Sequence, residues 1–328
     1  MKAAVYYKYG SPDVLSITEV LKPTPNNGEV LIQIRAASLN AYDWHLLRAK
    51  PFFTRALSGL LKPKNSILGA DIAGVVEAVG YSVTKYEVGD EVYGCLESCG
   101  KGGLAAGGFA EYVCAKESVL ALKPDAISFE EAAALPMAVV TAMQGVRNAD
   151  VKQGDCVLVN GASGGVGAFA LQIAKSIGAE VTGVCSTDSV DFVRSLGADT
   201  VVDYRKETVV TGDKLYDIVI DVAATLSVKE YRRALKTNGK CVVIGYSSFI
   251  HALRYSFARK RDGKAIKLSM TNNKNGDDLL EVNELVEAGK LRVAIDSRYP
   301  LDETAEALRY VETGHPKGKV IIVMQTSE

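Results

Sequence analysis

The chain has 328 residues, 48% hydrophobic and 23% charged, with Lys+Arg 38 against Asp+Glu 39 for a formal net charge of -1. Those proportions suit roughly two packed domains and argue against a mainly disordered chain. The balanced charge gives no global attraction to nucleic acid or an acidic membrane. The longest apolar stretch, 132–143, contains Pro136 and Thr141 and falls short of the ~20 residues of a spanning helix.

In chain order, the first third reads as β-rich. Residues 2–7 and 29–36 have strand composition, the latter alternating Leu31, Gln33 and Arg35 with Ile32, Ile34 and Ala36. Residues 71–79 form a β-branched run, and Glu87-Val88-Gly89-Asp90 is a turn before another strand at Glu91-Val92-Tyr93. Short strands with frequent Gly, Pro and Asn imply a compact barrel-like fold. The rhythm changes near residue 123. Strands are predicted at 156–160, 180–185, 200–203, 216–222 and 241–244. Helices separate them: Val166, Ala170, Ile173 and Ile177 up to Gly178; Val190, Val193 and Leu196 up to Gly197; Val228, Tyr231 and Leu235 up to about Gly239. Strand and helix in strict succession predict a doubly wound parallel sheet. Helices at 277–288 and 302–312, a segment at 292–296 and a strand at 319–324 then leave that rhythm. The expected organisation is α/β, with a β-rich domain of residues 1–122 and 271–328 and a parallel-sheet domain of 123–270 inserted in it. The cleft between domains is the expected ligand site.

Met1–Lys8 lacks the apolar stretch and cleavage site of a secretory signal. Of the six cysteines, Cys156, Cys185 and Cys241 fall in apolar runs and none suggests a disulfide framework, so a reducing, cytoplasmic setting is expected.

The most informative segment is Asn160-Gly161-Ala162-Ser163-Gly164-Gly165-Val166-Gly167, directly after a predicted strand and opening a predicted helix. Gly161, Gly164 and Gly167 are spaced three apart. Missing side chains at such positions let the chain turn tightly, let backbone approach a pyrophosphate and let the helix pack on the strand. The N–H groups and positive end of the helix then face phosphate. Dinucleotide binding is expected. At the end of the second strand, Ser186 and Thr187 can hydrogen-bond a 2′-phosphate, which favours NADP. Asp188 opposes it: a carboxylate ~6 Å from a phosphate charge costs about 2–3 kcal/mol at an effective dielectric of ~20. Alternatively Asp188 opens the next helix and points at its amides.

Further motifs make the chain resemble a known family. They are Ala37-Ser38-Leu39-Asn40-Ala41-Tyr42-Asp43-Trp44, Gly69-Ala70-Asp71-Ile72-Ala73-Gly74, Val88-Gly89-Asp90-Glu91-Val92-Tyr93-Gly94, Gly107-Gly108-Phe109-Ala110-Glu111-Tyr112, Ala134-Leu135-Pro136, Leu196-Gly197-Ala198-Asp199 and Gly314-His315 with Gly318-Lys319. In this order, with the glycine turn, they resemble the zinc-independent medium-chain dehydrogenases/reductases of the quinone oxidoreductase (ζ-crystallin-like) group, almost end to end. The resemblance implies a GroES-like catalytic domain plus a Rossmann domain, NADP as cofactor and a homodimer. It also implies reduction of quinones or of the C=C bond of α,β-unsaturated carbonyls. The zinc-dependent sister branch places a Cys ligand near Ser38–Asn40 and a His-Glu pair where this chain has Ala70-Asp71. Neither the Cys nor the His is here, and only Cys95 and Cys99 lie between Tyr93 and Phe109. No metal is expected.

By the same resemblance, Asn40 is the candidate to hydrogen-bond substrate or the nicotinamide ribose, with a turn residue as the alternative. His45 is the candidate proton donor, while Trp44 is expected to pack. Thr141 is placed beside the nicotinamide, or is simply a helix residue; Tyr204 is placed near the adenosine, with Arg205 or Lys206 approaching the 2′-phosphate, or the three form a solvated charged turn. Ile244-Gly245-Tyr246 closes the last Rossmann strand on the nicotinamide side, and Lys317 and Lys319 are candidates to reach the cofactor, with a surface role as the alternative. Residues 51–64 read as a pocket lid, a dimer contact or a membrane-surface helix, with the lid favoured. The basic stretch 250–264 reads as an exposed loop-helix rather than a nucleic-acid contact. Without a Lewis acid, a conjugated acceptor is the easier substrate, because incoming charge is delocalised onto a distant oxygen that hydrogen bonds can stabilise. A 2-enoyl thioester reductase and a non-catalytic NADPH-binding sensor or structural protein are the competing functions.

Overall fold

The structure is a computed structural model describing residues 1–50, 54–96, 107–210, 215–244, 263–269 and 276–325. The expected site residue Gly245, Tyr246, Cys99, the start of the 51–64 segment and nearly all of the 250–264 stretch lie outside the described residues. Two compact units are present. One comprises Met1–Met137, Asn273–Ala288 and Val293–Glu328; the other comprises Ala138–Asn272 and Gly289–Arg292.

The first unit opens with strands β1 (Lys2–Val5) and β2 (Ser16–Glu19), paired antiparallel. Strand β3 (Glu29–Leu39) leads into helix α1 (Ala41–Arg48), and a short helix α2 (Thr54–Ser58) follows. Strands β4 (Asp71–Val79), β5 (Glu91–Cys95), β6 (Tyr112–Lys116) and β7 (Leu120–Leu122) precede helix α3 (Phe129–Ala134). Helix α3 starts where Ser128 and Glu131 satisfy each other's backbone N–H groups, at 3.2 and 2.9 Å. It is followed by helix α4 (Pro136–Ala149), which crosses from the first unit into the second.

Strands β8 (Cys156–Asn160), β9 (Glu180–Cys185), β10 (Thr200–Asp203) and β11 (Tyr216–Asp221) alternate with helices α5 (Gly165–Ile177) and α6 (Val190–Ser195). Helix α7 (Val228–Ala234), β12 (Leu235–Ile244) and β13 (Ala265–Ser269) complete the second unit's sheet. Its strands are all parallel in the order β10-β9-β8-β11-β12-β13. The chain moves one way from β8 and then returns to add strands on its other side, so β8 and β11 form a topological switch point. Val157, Leu158 and Val159 are wholly buried, as a strand covered on both faces requires.

The tail belongs to the first unit. Helix Asp277–Glu287 is tied to β5 by the buried Tyr93, whose hydroxyl lies 2.6 Å from Asn283 Oδ1. Strand β14 (Ile295–Pro300), helix Thr304–Glu312 and strand β15 (Lys319–Val323) follow. The main sheet runs β14-β15-β3-β4-β5-β7, with β6 also on β3. Its core includes Ile32, Ile34, Leu47, Leu68, Ile72 and Phe109.

The structure corrects several expected boundaries. The units divide at Met137/Ala138 rather than at 122/123, because α3 packs against β3, β4 and β15. Residues 289–292 join the second unit, where Arg292 N–H donates to Gln172 Oε1 at 2.7 Å. Helix α7 ends at Ala234, not near Gly239: Leu235 is already extended and pairs with Tyr216 in the sheet.

Candidate active site

The glycine-rich turn follows β8 at the switch point. Gly161 takes φ +83, a conformation that L side chains rarely adopt, and its N–H and that of Ala162 donate to Val184 O at 3.2 and 3.0 Å. A Cβ at Gly167 would lie 2.0 Å from Gly161 O, so that glycine serves helix-to-turn packing. Gly164 differs. It has an ordinary extended backbone as the α5 N-cap, and a Cβ there would meet only Gly161 O, at 3.7 Å. Among the described residues, nothing in the packing requires glycine at 164, and the cradle it leaves suits close approach of a phosphate. Ser163, Gly164, Gly165 and Val166 remain part-exposed. The first-turn N–H groups of α5 have no carbonyl one turn back and are available to an anion. The turn therefore fits a dinucleotide diphosphate.

Beyond β9, the hydroxyl expected to meet a 2′-phosphate is engaged internally: Thr187 Oγ1 donates to Asp203 Oδ2 at 2.7 Å. That bond is the foremost reason the Asp203 carboxyl lies below its ordinary range. Ser186 Oγ lies 3.4 Å from Ser189 Oγ. Asp188 does not point at helix amides; its Oδ2 accepts from Arg205 Nη1 at 2.8 Å. The acidic charge at this strand end is thus paired, and the half-exposed Tyr204 lies beside it in sequence.

In the first unit, sheet register assembles a buried polar network. Ser38 pairs with Asp71, and Leu39 with Val320, which places Asn40, Asp71 and Lys319 at one end of β3, β4 and β15. Lys319 Nζ donates to Asn40 Oδ1 at 2.5 Å and to Leu39 O at 3.1 Å. Asn40 Nδ2 donates to Asp71 Oδ2 at 3.0 Å, and Met137 N–H reaches Asp71 Oδ1 and Oδ2 at 3.2 and 3.1 Å. Asp43 accepts from the N–H groups of Asn40, at 2.8 Å, and Gly69, at 3.1 Å. Burial raises both carboxyls, Asp43 to about 7, and lowers the Lys319 ammonium against the opposing pull of Asp71 and Asp43. Lys319, expected at the cofactor, is thus held by its own unit's atoms.

His45 stacks on Trp44 with ring centroids 3.7 Å apart, and its Nδ1 lies 2.8 Å from Lys50 O. A carbonyl can only accept, so Nδ1 carries the proton, and burial lowers the ring's pKa. In the neutral tautomer Nε2 is an acceptor. Thr141 is buried in α4, and buried Ile244 packs beside Gly145. Of the 51–64 segment, Leu60 and Leu61 are exposed, while Tyr9 OH holds Gly59 O at 2.7 Å. Sequence reasoning missed Asp71 and Asp43 as site residues. Two acids embedded in apolar runs beside Asn40 and Gly69 were the available signal, since buried acids require partners.

The alcohol dehydrogenase GroES-like domain family matches residues 26–125, and the zinc-binding dehydrogenase family matches residues 196–322. The chain is 34% identical to the chloroplastic NADPH-dependent alkenal/one oxidoreductase of Arabidopsis thaliana, over 98% of this chain and 79% of that one. It is 35% identical to the 2-methylene-furan-3-one reductase of Solanum lycopersicum, with the same coverage. The quinone oxidoreductase structure from Coxiella burnetii superposes with a TM-score of 0.88 at 32% identity, covering 99% of both chains. The fold and these similarities define a two-unit, nucleotide-dependent oxidoreductase. The chain belongs to the medium-chain dehydrogenase/reductase family, within its quinone oxidoreductase group.

The zinc in one matching family's description does not fit this site. Among the described residues, no group of three or more His, Cys, Asp or Glu could hold a metal ion, and the cation facing Asp43 and Asp71 is the Lys319 ammonium.

Proposed function

We propose that this chain is an NADPH-dependent reductase acting on quinones or on the C=C bond of α,β-unsaturated carbonyls. The observation that carries this reading is the turn at 161–167. It stands at a switch point with one glycine, Gly164, that the packing of the described residues does not require. The names of the alkenal/one and methylene-furanone reductases supply the acceptor class.

When bound, NADPH supplies the hydride. The amides of Ser163, Gly165 and Val166 would hold its diphosphate, the Gly164 N–H being taken by Gly161 O, and Arg205, partnered by Asp188, would meet a 2′-phosphate. The second Nδ2 hydrogen of Asn40 donates to an oxygen of the substrate or of the nicotinamide ribose; on substrate it stabilises the charge that accumulates there. Conjugation spreads that charge from carbon to a remote oxygen, so a neutral donor suffices where a saturated carbonyl would need a stronger electrophile. The proton that completes the reduction comes from solvent or a nearby side chain. A homodimer is proposed for the assembly, to be checked by light scattering.

Consumption of NADPH should be followed with a short enone, a quinone, an enoyl thioester and a saturated aldehyde. Acceleration by the enone or quinone is expected. A saturated aldehyde as best substrate contradicts the conjugation argument, and tight coenzyme binding with no turnover of any acceptor contradicts the assignment as an enzyme.

A further inference from the structure

Resting on the reading of Asn40 as the hydrogen-bond donor of the site, we propose that Lys319 and Asp71 are positioning residues. They act through the Asn40 amide, fixing its orientation and strengthening its free N–H.

The orientation follows from donor chemistry. An ammonium can only donate, so the Asn40 atom 2.5 Å from Lys319 Nζ must be Oδ1. Asp71 already accepts from Met137 N–H, so the atom 3.0 Å away must be Nδ2. A flipped amide would set Nδ2 against the ammonium and Oδ1 against the carboxylate, and would lose both bonds. Four donors converge on Asp71, the Asn40 amide, the Met137 N–H, the Cys95 thiol and Ser38 Oγ at 3.4 Å, which holds the carboxylate in its accepting role.

The amide has two N–H donors, and Asp71 uses one. The other has no partner among the described residues and is left for a ligand. Charge at Oδ1 draws electron density through the conjugated amide, so the remaining N–H becomes a better donor, by about 10–30% per linked bond in condensed-phase estimates. Exposure shows where the network meets its surroundings. Asp43 and Asp71 are 0% exposed and Lys319 4%, while Asn40 keeps 9%. The ammonium is enclosed, and Asn40 is the most open member of the group.

A double-mutant cycle with Asn40→Ala and Lys319→Met tests this on the full chain, with NADPH and a short enone. Each single substitution should lower kcat/KM about ten- to a hundredfold, as loss of a charge-assisted bond predicts. The double variant should be no worse than Asn40→Ala. Penalties that multiply would overturn the proposal. If Lys319→Met does not fold, Lys319→Gln, which still donates but carries no charge, enters the same cycle.

A second readout needs no turnover. The side-chain amide resonances of Asn40 in coenzyme-free protein, assigned by their loss in Asn40→Ala, should exchange slowly with solvent. In the Lys319 variant they should shift and exchange faster; unchanged resonances would overturn the proposal. A wild-type protein inactive toward every acceptor would instead overturn the underlying functional reading. An active wild type with multiplicative penalties would overturn the positioning role alone.

Discussion

Replacing Gly164 and Gly167 by alanine, one at a time, separates two uses of a missing side chain. At Gly167 the added Cβ would sit 2.0 Å from Gly161 O and 2.8 Å from its carbonyl carbon, both backbone atoms that cannot swing away. The helix must back off the turn, at a cost of about 2–3 kcal/mol, or about 5–10 °C in the melting midpoint. At Gly164, φ -78 and ψ 168 suit alanine, and the nearest heavy atom lies 3.7 Å away. Alanine there gains about 0.4–1 kcal/mol by restricting the unfolded chain and loses about 1 kcal/mol as a poorer N-cap, so stability should hold within about 1 kcal/mol. Coenzyme binding should not hold. Keeping a phosphate off one backbone amide removes a charge-assisted hydrogen bond of about 1.5–3 kcal/mol, about ten- to a hundredfold in Kd. Thermal unfolding and NADPH fluorescence titration on both variants give the comparison. A Gly164→Ala protein that binds NADPH as tightly as wild type would refute the argument that the backbone meets the diphosphate at that residue.

Three further outcomes follow from the geometry. Arg205→Ala leaves Asp188 unpaired beside the proposed 2′-phosphate and should weaken NADPH binding about tenfold or more while leaving NADH nearly unchanged; equal losses for both coenzymes would contradict this placement. Asp43, raised by burial to about 7, holds its proton more tightly in the fold than in the unfolded chain. Its contribution to stability is therefore complete below about pH 4 and lost as pH rises through 7. Between pH 5 and 8 urea midpoints should record a loss of about 2–3 kcal/mol that Asp43→Asn lacks, and parallel pH profiles would contradict it. Tyr231→Phe removes the buried donor 2.8 Å from Asp221 Oδ2 and should destabilise by about 1–3 kcal/mol in equilibrium unfolding, against no change if that bond is dispensable.

The strands 71–79, 156–160 and 180–185 were legible because each is an apolar run closed by polar or turn residues, and the structure places them there. The register within a sheet has no such local mark. Leu235 satisfies a helical period after Val228 and Tyr231, yet it is extended because Tyr216, far back in the chain, offers it a strand partner. The division at Met137/Ala138 likewise depends on what α3 packs against. The glycine turn was readable because its chemistry is contiguous. The Asn40–Asp71–Lys319 network was not, since its bonds join residues 31 and 279 positions apart. Asp188 shows the same limit: its charge was visible, but its partner Arg205 lies 17 residues on, across β10.

The central claim is hydride transfer to a conjugated acceptor. Its most direct test is incubation with NADPH deuterated at the transferable position and a short enone, followed by mass spectrometry and NMR of the product. The account predicts a saturated ketone carrying deuterium on the former β-carbon. Deuterium on the carbinol carbon of an allylic alcohol, or recovery of unlabelled enone, would contradict it.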